Sequence, residues 1–113
     1  MPHMTNYNFG EILLLKFPYS DGKGDAKRPV VVLAQTDLED IVTAKVTSME
    51  QRGEYDIAID AWKDVGLLYP SVVRIDKLAT LSKQRVEKRF GTLVGSYKPE
   101  IISRIKQLFK IEK

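Results

Sequence analysis

Apolar residues fall along this chain in short runs separated by turn-forming clusters, and only the C-terminal stretch carries a helical period. Such runs, bounded by Gly, Pro, Asn, Asp and Ser, predict strands. The first is Gly10-Glu11-Ile12-Leu13-Leu14-Leu15-Lys16-Phe17, entered at a glycine and stopped by Pro18. The second follows Ala26-Lys27-Arg28-Pro29. Its Val30-Val31-Val32-Leu33 sets four apolar residues in series, three of them β-branched, which predicts a strand buried on both faces. Pro29 donates no ladder hydrogen bond and belongs at the mouth of that strand. It also pushes Arg28 toward extended geometry.

Residues 41–48 alternate, with Val42, Ala44 and Val46 on one face and Thr43, Lys45 and Thr47 on the other. Residues 55–60 form another alternating strand, and residues 71–81 form the longest, predicted to bend between two sheets. Residues 82–86 make one helical turn with Ser82 as its N-cap, and residues 89–93 a last short strand. Pro99 opens a helix whose Ile101, Ile102, Ile105, Leu108 and Phe109 form a single apolar stripe, with Arg104, Lys106 and Lys110 on the solvated side. Many short strands and one closing helix predict a mainly β domain, a small, strongly curved sheet or open barrel.

At 113 residues this reads as one domain, residues 1–113, of which residues 1–8 are a flexible tail. Hydrophobic residues at 43% and charged residues at 29% describe an ordinary globule. No apolar run is long enough to cross a bilayer, so no membrane partner is expected. With no cysteine there is no disulfide, thiol catalysis or thiolate metal site, which fits a reducing cytoplasm. The lone histidine, His3, lies in the polar tail, which removes histidine triads, paired-histidine acid–base chemistry and two-histidine metal sites. Asp56 and Asp60 share a strand face but stand roughly 13 Å apart at strand rise, too far to hold one metal. Catalysis must then use arginine, lysine, carboxylates, hydroxyls or backbone, with no metal and no cofactor. The net charge of +3 permits a nucleic-acid partner without demanding one.

The residues best placed for such chemistry surround the hairpin loop of residues 18–27. A guanidinium at the rim of a rigid strand, beside a Gly-rich loop, can clamp a phosphate with two parallel hydrogen bonds. The alternative for Arg28 is an ion pair with Asp21 or Asp25 that merely ties the loop down. The loop is no P-loop, since no GK[ST] follows it and it opens no helix. Trp62 either stacks a base or plugs an open barrel end.

Gly10-Glu11-Ile12, Phe17-Pro18, Asp21-Gly22 and Lys27-Arg28-Pro29-Val30-Val31-Val32-Leu33 together resemble the opening of the PemK/MazF family of toxins. Thr47-Ser48, Trp62, Gly66-Leu67, Pro70-Ser71-Val72-Val73-Arg74, Asp76-Lys77-Leu78 and Gly91-Thr92-Leu93 continue the likeness in order. The resemblance implies an SH3-like, partly open β-barrel with a C-terminal helix, shared with the CcdB-type gyrase poisons and usually a homodimer. It implies a metal-independent endoribonuclease that cleaves single-stranded RNA and arrests translation. It also implies an antitoxin partner laying an acidic tail over the RNA groove, with DNA bound only through the toxin–antitoxin complex. The family's arginine at the start of the second strand and threonine ending the third fall on Arg28 and Thr47, the expected catalytic pair. Lys16, Lys23 and Lys27 are candidates to track the RNA backbone, Tyr19 to stack a base, and Ser20 and Ser48 to add hydrogen bonds. The competing function is a non-catalytic or gyrase-directed module of the same fold that binds an antitoxin or DNA.

Overall fold

The computed structural model describes residues 5–18 and 21–112. Six strands and one helix follow in order: β1 (Glu11–Pro18), β2 (Asp25–Gln35), β3 (Asp40–Thr47), β4 (Asp56–Ile59), β5 (Ser71–Ser82), β6 (Val86–Thr92) and α1 (Tyr97–Phe109). A 3-10 turn, Lys83–Arg85, joins β5 to β6, and the Ser82 hydroxyl accepts the Gln84 N–H at 3.1 Å as its N-cap. The strands form one antiparallel sheet in the order β4-β5-β3-β2-β1-β6, which does not close on itself.

Strong curvature lets this single sheet bury both of its faces. Val31 joins Ile12, Ala44, Val46, Val73, Leu93 and Ile101 in the larger core, under the helix. Its neighbours Val30 and Val32 point the other way, into a smaller core with Leu13, Leu15 and Ile41. The apolar series in β2 therefore means what its pattern implied: the strand lies between two cores. The bend expected in the longest strand is a bulge. Ala44 pairs with Leu78, but Lys45 pairs with Arg74, so extra residues of β5 are taken up between those pairs.

Three local departures have physical causes. Thr43, expected on a polar face, is 1% exposed, and its hydroxyl donates to the Ala79 carbonyl at 3.0 Å. The curl of β5 over β3 covers it. The helix begins at Tyr97, with Pro99 inside its first turn, where a missing N–H leaves no bond unmade. The single stripe expected on that helix is split: Ile101 is fully buried and Ile105 and Leu108 pack on the core, whereas Ile102 and Phe109 are exposed. Of the expected tail, Tyr7 and Asn8 are hydrogen-bonded through their N–H groups to the Gln35 and Glu11 side chains. Residues 1–4, with His3, lie outside the described residues.

Candidate nucleic-acid interface

The site is made where β2 and β3 stop pairing. Gly10 donates its N–H to the Val32 carbonyl at 2.9 Å, on the β1 side of β2. By strand alternation Val31 and Pro29 then turn their backbone polar groups toward β3. Pro29 has no N–H to give, and the β2–β3 ladder ends one residue short of it, at the pair Val30–Lys45. On its other edge β3 stays paired as far as Thr47–Val72. The sequence therefore opens a crevice between the start of β2 and the end of β3.

Arg28 stands in this crevice. It is exposed and lines a groove of about 400 Å³ with Phe17, Val30, Lys45, Lys77 and Leu81. Three cationic side chains thus edge one partly apolar channel. Among the described residues Arg28 has no ion pair, so the alternative of a tie to Asp21 or Asp25 is not what the structure shows. Asp21 instead accepts the Lys23 N–H at 2.9 Å and caps a turn of the hairpin.

Continuing the register past Val30–Lys45 by two residues on each strand sets Thr47 level with Arg28, on the same face of the sheet. Thr47 is half-buried and not part of the groove lining; its Oγ1 accepts the Met49 N–H at 3.3 Å. The loop that follows is anchored by a charged cluster. Asp56, 2% exposed, accepts from the Arg52 N–H at 2.7 Å and from the Arg52 guanidinium at 3.0 and 3.2 Å. Arg52 also reaches Asp76 at 2.7 Å, and Arg74 donates to the Glu50 carbonyl at 3.2 Å while lying 3.6 Å from Asp56. Burial pushes the Asp56 carboxyl up, but the Arg52 hydrogen bonds and the charges of Arg52 and Arg74 outweigh it and hold the group below its usual range.

Lys16 and Lys27 leave the opposite face of the sheet, as strand alternation requires. Lys27 and Ser48 line a second pocket of about 260 Å³ with Leu14, Leu68, Tyr69 and Phe90. Pro29 borders both pockets and joins them at the crevice. Lys16, paired with Lys27 across β1 and β2, faces Glu87. Lys23 is exposed on the hairpin turn, and Tyr19 and Ser20 lie outside the described residues. Lys77 and Glu87 were not singled out from the sequence. The bulge in β5 brings Lys77 to the groove, and no local pattern announces a bulge. Trp62 is half-buried and packs against the larger core, with Lys63 Nζ 5.3 Å from its ring centroid. Among the described residues no group of three His, Asp or Glu side chains is gathered to hold a metal ion.

A family model described as PemK-like, MazF-like toxin of type II toxin–antitoxin system matches residues 8–109. This chain belongs to that family. The PemK/MazF-like fold is repeated in solved structures. A toxin MazF-mt6 from Mycobacterium tuberculosis is 22% identical, with 89% of this chain and 99% of that one covered and a TM-score of 0.71. A MazE-MazF structure from Deinococcus radiodurans is 19% identical, covering 95% and 100% of the two chains, with a TM-score of 0.77. An endoribonuclease in complex with its cognate antitoxin, from a mycobacterial species, is 13% identical over 96% and 99%, with a TM-score of 0.74. No curated protein sequence is a significant match. The open six-stranded sheet with its C-terminal helix is thus the toxin fold of this family. No helix among the described residues is long and apolar enough to cross a membrane.

Proposed function

We propose that this PemK/MazF-type toxin is a metal-independent endoribonuclease acting on single-stranded RNA. The observation that carries the reading is Arg28, without an ion pair among the described residues, on the wall of a groove shared with Lys45 and Lys77, while Thr47 ends the neighbouring strand two residues beyond the last β2–β3 pair. RNA supplies its own nucleophile. The 2′-oxygen bonds to the adjacent phosphorus, the bond to the 5′-oxygen breaks, and the 2′-proton is lost as the leaving oxygen gains one. The products are a 2′,3′-cyclic phosphate and a 5′-hydroxyl. What the protein must add is orientation and stabilisation of charge on the phosphoryl oxygens. Arg28 does this with two donors aimed at two oxygens, and the Thr47 hydroxyl adds a third. Charge stabilisation is the dominant part assigned to Arg28.

The family and the likeness to antitoxin complexes support two partners. One is a cognate antitoxin whose acidic segment lies over the basic groove; the other is a second copy of the chain, checked by sedimentation mass. The setting is the cytoplasm, where messenger RNA is met. Incubation with a fluorogenic single-stranded RNA in EDTA tests the activity. Cleavage of RNA but not of the matching DNA, lost in Arg28→Ala, supports the reading. Intact RNA across many sequences, with DNA gyrase inhibited instead, refutes it.

A further inference from the structure

Two of the lysines on the β1–β2 hairpin are already occupied. Lys27 Nζ lies 3.1 Å from Glu87 Oε1, and Lys16 Nζ lies 3.9 Å from Glu87 Oε2. One carboxylate oxygen faces each ammonium group. Lys16 and Lys27 are a cross-strand pair on β1 and β2, so their side chains leave the same face side by side. Glu87 comes from β6, on the other edge of β1, and reaches across to both. Arg85 donates to the Lys16 carbonyl at 3.3 Å, but its guanidinium stands 5.6 Å from the Phe17 ring centroid, on the Arg28 side of the sheet. All three members of the Lys16–Glu87–Lys27 cluster stay open to solvent, the lysines about half exposed and Glu87 about one-third. Hydrogen bonding from Lys27 and the charge of both lysines hold the Glu87 carboxyl below its usual range.

We infer that Glu87 stands in the place of an RNA phosphate, so that Lys16 and Lys27 form a backbone-binding subsite which the incoming strand must win from this carboxylate. The inference rests on the RNA reading above and names the residue that sets how tightly this rim holds RNA. A carboxylate shared by two ammonium groups presents two oxygens to them, as the non-bridging oxygens of a phosphodiester would. Lys27 also lines the pocket that holds Tyr69, Phe90 and Ser48, so a phosphate at the rim leaves its nucleoside beside a surface that can stack a base. In the free protein Glu87 neutralises part of the charge that would attract RNA. When RNA binds, the displaced carboxylate remains as a nearby repulsion. Glu87 thus weakens binding of every sequence alike and selects no base.

Fluorescence anisotropy with a labelled 2′-O-methyl RNA, which cannot be cleaved, tests this between 50 and 250 mM KCl. Glu87→Gln is expected to bind about 3- to 10-fold tighter at the low-salt end, with a log–log salt slope steeper by about 0.7 for each lysine set free. Lys27→Gln placed on Glu87→Gln should abolish most of that gain. Glu100→Gln serves as the matched control, because it removes the same charge and an ion pair, that with Arg104 at 3.5 Å on α1. If Glu87→Gln matches wild type, or gains no more than Glu100→Gln, the subsite is overturned while the RNA reading stands. If neither wild type nor Glu87→Gln binds the RNA in a salt-dependent way, the RNA reading fails and takes the subsite with it.

Discussion

Two threonines on one face of β3 are put to different uses. Thr43 is sealed beneath β5 with its hydroxyl given to a backbone carbonyl. Thr47, at the open end of the same strand, accepts the Met49 N–H and keeps its own hydroxyl proton to give. Alternation in the sequence put both on one polar face, and only the curl of β5 separates them. Arg28→Lys would keep the charge but lose the fork, and RNA cleavage is expected to fall about 10²-fold. Thr47→Ser should retain activity that Thr47→Val loses, with unchanged melting curves in both. Single-turnover rates on one RNA check all three. The sequence marks Arg28 through Pro29, which stands at the mouth of β2, whereas Thr47 enters the site only through the family resemblance. Glu87 was not legible, since 60 residues separate it from Lys27.

Elements are held by a few specific contacts, which make their stabilities separable. The link from β3 to β4 depends on Asp56, whose folded-state pKa lies below its ordinary value of about 3.9. Its contribution is therefore complete above that ordinary value and is lost as the pH falls through the depressed one. Asp56→Asn is expected to cost on the order of 2 kcal/mol at pH 7, with the deficit closing in acid; urea unfolding at a series of pH values measures both. The helix offers a second contrast. Ile101→Ala should cost about 2–4 kcal/mol, and Ile102→Ala less than about 0.5, because only the first leaves a cavity. By helical period these two isoleucines share one stripe. Which of them meets the sheet depends on the angle at which α1 crosses it, and no helical period carries that angle.

At the scale of the whole molecule, strand identity could be read from the chain, but strand order could not. The series in β2 announced two cores and the many short strands an open, curved sheet, yet nothing local says that β6 pairs with β1. Those features come from pairings between distant segments. The groove arises at this level, from β2, β3 and β5 together with Phe17 at the end of β1.

The imino acid at position 29 limits how far two neighbouring strands can zip together. Restoring an amide there with Pro29→Val would let the ladder advance toward Arg28 and draw the two rims into contact. Such a variant is expected to melt at or above the wild-type temperature while losing its capacity to cut RNA. A toxin tightened in this way would be harmless because it was better folded, and a growth assay beside a thermal melt would show both effects in one protein.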